Sequence, residues 1–228
     1  MKKNYEMDMC SGPILGKLLT FTIPLIFSGI LQLLFNAADV IVVGRFAGSQ
    51  SLAAVGSTTA LINLMINIFI GLSVGVNVIV ARYYGAKREK DVQDTIHTAM
   101  ALSIVSGLFL IIVGQLLSRP MLELMGTPDD VIDKSTIYMR IIFIGMPANM
   151  IYNFGSAILR AVGDTKRPLY FLTAAGVINV VLNLFFVIMF RMDVAGVALA
   201  TAISQAISAF LVILCLMESE GGLKLHLK

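Results

Sequence analysis

The chain has 228 residues, of which 57% are hydrophobic and 14% charged, with a mean hydropathy of +0.88 and a net charge of +3. Soluble domains carry about 25% charged residues, so a water-exposed globular surface does not fit, and the scattered positive charge does not suit nucleic acid. Cys10 and Cys215 stand at opposite ends without metal-ligand spacing, which argues against a disulfide framework and a zinc site.

Residues 1–13 are polar and read as a cytoplasmic N-terminal segment. The apolar run after them is too long for a signal-peptide core and shows no cleavage pattern, so it reads as a retained first span. A spanning helix needs about 20 mostly apolar residues. Six runs qualify in chain order: 14–43, 52–83, 95–117, 135–162, 168–190 and 194–217. Glycine- and charge-rich breaks separate them at 44–49, 85–91, 126–130, 163–168 and 191–193. Pro24 and Pro147 fall inside spans 1 and 4 as kink sites. The fold expected is an all-α integral membrane protein, with six transmembrane helices over 14–217 and a linker or truncated tail over 218–228.

Basic residues set the expected orientation. Of the 17 Lys and Arg, only Arg45, Arg119, Lys134, Arg140 and Arg191 fall on the side opposite the N-terminus. The positive-inside rule then places both termini in the cytoplasm and the chain in the cell membrane. An even span number lets a second copy of this unit, fused downstream, enter in the same sense, as in parallel-repeat transporters. The basic segment Arg82–Lys90 lacks a phosphate-binding-loop pattern and reads as an anchor against anionic lipid.

Polar residues within the spans mark packing seams or cavities. Asp39 is the costliest: a carboxylate at mid-bilayer carries a penalty of about 2.5–3.5 kcal/mol on insertion scales. No cation lies in the span interiors to pair with it, which favours an ion- or proton-handling role. Gln32, Asn36 and Asp39 stack on one face of span 1. Asn179 and Asn183 in span 5, and Thr201 and Gln205 in span 6, repeat the four-residue spacing. Thr201 by itself suits a bond to the carbonyl one turn back, and the Asn179–Asn183 pair suits helix packing or a ligand equally. Asn63, Asn67 and Asn77 in span 2, and Asn149 and Asn153 in span 4, suit interhelical hydrogen bonds, with cavity lining the other reading. Gly71–Gly75, Ser103–Gly107 and Gly196–Ala200 are small-residue patterns that permit close helix approach. His97 reads as interfacial, and the 13 methionines suit either lipid-facing filler or an adaptable apolar cavity. No nucleophile–base or metalloprotease constellation appears, so an enzyme is not expected.

Four segments in order carry a family resemblance: Gln32–Gly44, Ala81–Arg88, Leu159–Pro168 and Val194–Gln205. Together they resemble the N-terminal six-helix lobe of MATE-type multidrug and toxin extrusion transporters, in the bacterial branch that includes DinF-like proteins. That resemblance implies one half of a twelve-helix antiporter that exchanges H+ or Na+ for lipophilic, often cationic, drug-like compounds, with no cofactor beyond the coupling ion. It also implies a cation site at Asp39, Asn179, Asn183 and Thr201, with Asn183 standing where the family pattern has Asp. Asp39 is then the single titratable member, which tilts the expectation toward protons. Pro24 matches a helix-bending proline of that branch. Gln32, Asn36, Asn153 and Gln205 are the substrate-cavity candidates.

Burial among amides favours the neutral form of a carboxylate, so proton uptake by Asp39 becomes feasible near physiological pH. Two alternatives stand beside the antiporter. One is a flippase for lipid-linked precursors, disfavoured because its cavity should be cationic. The other is a half that does not transport without a second lobe or a second copy of itself.

Overall fold

A computed structural model describes residues 14–219 and 221–225. Seven helices account for the six expected spans: α1 (Ile14–Val42), α2 (Ser49–Gly85), α3 (Glu89–Leu124), α4 (Asp129–Ile144), α5 (Met146–Ala161), α6 (Lys166–Leu184) and α7 (Asp193–Glu218). Five of these, α1, α2, α3, α6 and α7, are long and apolar enough to cross a membrane alone. The sixth span is the α4–α5 pair, bent by 48°.

The kink expected at Pro147 within the 135–162 span is thus a full break into two helices, and the chemistry of proline explains it. Proline has no N–H to give the carbonyl of Phe143 and its ring collides with that carbonyl. Gly145 ends α4 by donating to Ile142 at 3.0 Å, and Pro147 then occupies the first turn of α5. The bend is packed as well as bent: a Cβ on Gly107 of α3 would lie 2.3 Å from the Pro147 Cα. Pro24, by contrast, lies within α1 without breaking it.

Helix ends overrun the expected limits where polar residues still fit a helix. The α3 helix begins at Glu89, with Glu89 and Asp91 in its first turn, and runs on to Leu124; acids there complement the helix dipole. The expected break at 44–49 begins late: a π-helical turn (Val43–Ala47) continues α1, and Phe185–Met189 extends α6 in the same way. The chain turns at Gly48, φ +88°, a left-handed conformation that glycine adopts without Cβ penalty.

The core lies between α2, α3, α4, α5 and α7, where Phe143, Met146, Met150, Phe154 and Leu216 are fully buried. The α1 helix leans chiefly on α6. It buries only Pro24 and Val42, and exposes Leu33, Leu34 and Ile41 as a lipid-facing helix would. Its anchor is Phe35, whose ring sits where a Cβ on Gly176 would have to go. Small residues do permit close approach at Gly107, Gly114, Gly155 and Gly176. Gly71 and Gly75 do not serve that end within this chain: nothing lies within 4 Å of a Cβ built on either. After α7 the segment 221–225 folds back, with Leu223 and Leu225 buried and the Leu225 N–H donating to the Leu216 carbonyl at 3.0 Å.

Candidate ion-coupling site

The π turn after α1 and the one after α6 pack together at one end of the lobe, with α7 beside them. Between these three helices lie the polar side chains of the site. Asp39 approaches from α1, Asn179 and Asn183 from successive turns of α6, and Thr201 from α7.

They form one hydrogen-bonded chain. The Asn183 amide nitrogen donates to the Asp39 carboxylate and, at 3.2 Å, to the Asn179 side-chain oxygen. Asn179 in turn donates to the Thr201 hydroxyl at 3.2 Å, and Thr201 donates to the Val197 carbonyl one turn back at 3.0 Å. Thr201 therefore makes the backbone bond that its residue type favours and accepts an amide as well. Asn183 is fully buried, Asn179 nearly so, and Asp39 and Thr201 are partly buried. No ion pair to Asp39 occurs among the described residues; an amide holds the carboxylate instead.

One acceptor is left over. The Asn183 side-chain oxygen is buried without a hydrogen-bond partner, and such groups are uncommon enough to require a reason. With the carboxylate and the Thr201 hydroxyl it adds a third oxygen to the cluster. Oxygen donors are what a hard cation takes. A proton on Asp39 would instead make the carboxyl a donor that such an orphan oxygen can accept. Tyr138 of α4 lies within electrostatic reach of Asp39. Sequence reasoning passed over it because a tyrosine in an apolar run looks like packing. Lys134 bonds to Ser51 at 3.1 Å and to Asp193 at 3.3 Å, joining α4 to α2 and α7.

The cavity candidates separate. Gln32 and Asn36 lie on the exposed face of α1. Asn153 bonds within α5 to the backbone and side-chain oxygens of Asn149, both at 2.9 Å, so this pair is not an interhelical tie. Gln205 has its oxygen buried and unpartnered near Gly145. In α2, Asn77 does cross to the Ala157 carbonyl of α5 at 2.7 Å, whereas Asn63 and Asn67 face outward.

Residues 24–185 match the MatE family. The chain belongs to the MatE family. It is 35% identical to the Probable multidrug resistance protein YoeA of Bacillus subtilis over 204 residues, which is 88% of this chain and 44% of YoeA. It is 32% identical to the Probable multidrug resistance protein YpnP of the same organism, covering 88% of this chain and 45% of YpnP. Among solved structures it is similar to the crystal structure of MATE in the bent conformation, with a TM-score of 0.83 and 26% identity over 89% of this chain and 45% of that one. The chain thus spans about half the length of the MatE relatives it matches. It is a multi-pass, all-helical MatE lobe from a family of transporters.

Proposed function

We propose that this chain is the N-terminal lobe of a multidrug efflux antiporter that exports lipophilic, cationic compounds in exchange for H+ or Na+. Asp39 is the coupling carboxylate, and Asn179, Asn183 and Thr201 complete its site. The observation that carries this reading is the single hydrogen-bonded chain that ties Asp39 to α6 and α7. Protonating Asp39, or placing a cation beside it, changes the partner that Asn183 must satisfy. The change passes to Asn179 and Thr201, and so biases the packing of three helices. Drug and coupling ion then favour different members of the outward- and inward-facing cycle.

The partner is a second lobe. Gln32 and Asn36 on α1, and Asn63, Asn67, Gly71 and Gly75 on α2, lie on exposed faces. Amides facing lipid are costly, whereas amides facing a second lobe across a cavity bind substrate or pair. The excess of Lys and Arg on the side of the termini supports a cell-membrane protein with both termini in the cytoplasm.

The test is drug efflux measured in everted vesicles containing the transporter of which this lobe is part, at several pH values and Na+ concentrations. Asp39→Asn should abolish the dependence on both ions. Coupling unchanged from that of the unsubstituted protein would sink the assignment.

A further inference from the structure

Between Asp39 and the end of the lobe where the two π turns meet lies a layer of valines. Val43 stands four residues past Asp39, Val187 four past Asn183, and Val197 four before Thr201 in a helix that runs the opposite way. Each therefore sits one turn from its polar neighbour, on the same helix face and toward the same end. Val55 of α2, Val131 of α4 and Val194 of α7 complete the layer, and all six are at most 5% exposed. Tyr138, within electrostatic reach of Asp39, packs against the layer as well.

The layer is tied to the site and closely packed. The Thr201 hydroxyl donates to the Val197 carbonyl at 3.0 Å. Gly196 lets α7 close on the second π turn: a Cβ there would lie 3.0 Å from the Phe186 Cβ.

The rim of the layer is fastened separately. Lys134 donates to the buried Ser51 hydroxyl at 3.1 Å and to Asp193 at 3.3 Å, so one ammonium joins the first turns of α2 and α7 to α4. Each of its groups neighbours a valine: Asp193 precedes Val194, Ser51 stands four residues before Val55, and Lys134 three after Val131. Arg191 and Asp193 hold φ of +51° and +46°. That left-handed conformation is costly for residues other than glycine and persists where surrounding contacts enforce it.

We propose that Val43, Val187 and Val197, fastened by Lys134 to Ser51 and Asp193, form a hydrophobic gate that keeps water and ions at this end of the lobe from reaching Asp39. The gate's purpose rests on the reading of Asp39 as the coupling carboxylate, because a straight wet route would admit the ion without regard to drug. Aliphatic side chains offer an ion no replacement for its hydration shell, and a constriction lined by them stays dry.

The test reads water access alone, so its failure is distinct from a failure of Asp39 to couple transport. The full chain carries Cys10→Ser and Cys215→Ser, with Thr201→Cys as the single reporter. A cationic, membrane-impermeant methanethiosulfonate is applied to intact cells and to everted vesicles. A parallel chain with Met125→Cys, at an exposed position between α3 and α4, identifies the membrane face on which the π turns lie. From that face, Thr201→Cys should react about ten-fold more slowly than Met125→Cys. Val43→Thr and Val187→Thr keep the side-chain shape but wet the layer. Each should speed labelling of Thr201→Cys about ten-fold, and Lys134→Met several-fold, with Met125→Cys unchanged. Valines that serve only as packing would lower the unfolding temperature when substituted and leave the labelling ratio alone, which overturns the gate. Equal reaction of Thr201→Cys and Met125→Cys with the valines intact overturns it too. If both valine variants fail to fold, Lys134→Met decides: an unchanged rate overturns the proposal.

Discussion

Asn183 donates to Asp39 across 144 residues of sequence, and the same amide nitrogen also reaches Asn179 one turn away on its own helix. One side chain thus couples the carboxylate on α1 to the polar ladder of α6 and α7. Asn183→Ala would leave Asp39 without its donor and the Asn179 oxygen without a partner, both in a buried setting. The expected loss is about 2 kcal/mol for unsatisfied buried polar groups, read as a lower unfolding temperature in detergent.

Asn183→Asp tests the ion. It places a second carboxylate against Asp39, and two adjacent like charges bind a cation between them more strongly than one does. Transport measured in the complete transporter should gain Na+ dependence. A variant that stays indifferent to Na+ would show that the first carboxylate alone sets ion choice.

Gly107 is where the bent fourth span touches α3. Gly107→Ala drives a methyl group into the Pro147 backbone, which cannot yield as a side-chain tip does. Overpacking of this kind costs about 1–3 kcal/mol. Gly71→Ala, with nothing within 4 Å, is the control and should leave the unfolding temperature of the isolated lobe unchanged or slightly raised. Differential scanning fluorimetry of the two variants checks the contrast.

Asp164 holds Arg167 and the first turn of α6 together from a fully buried position. Asp164→Ala should destabilise the lobe by about 3 kcal/mol, because Arg167 loses its carboxylate and two backbone donors lose their acceptor. Lys134→Met should behave differently. Its Asp193 pair is a third to half exposed, and exposed pairs are worth at most about 1 kcal/mol. Chemical unfolding of both variants side by side should rank them in that order.

Much of the fold was legible from local pattern. Each span is a long apolar run, and a helix satisfies its own backbone polar groups in lipid, so hydropathy finds it without reference to any neighbour. The break at Pro147 was visible as a kink site, although its size was not. Of the candidate site, Asp39 stood out in the sequence as a carboxylate among apolar neighbours, and the family resemblance added Asn179, Asn183 and Thr201.

Their pairings were not legible. Asn77 crosses to another helix, Asn153 bonds within its own, and Asn63 and Asn67 point outward, although all four are amides in apolar spans. Gly107 admits a neighbouring helix and Gly71 does not, although both belong to small-residue motifs. Sequence by itself therefore determined the membrane-spanning character, the span positions and the candidate chemistry, because these depend on transfer free energies that add residue by residue. Only the tertiary structure decided that Asp39 is held by Asn183, that Tyr138 stands within electrostatic reach of it and that Asn153 bonds within its own helix. Those relations depend on the rotation and tilt of each packed helix, which interhelical contacts set and no local window contains.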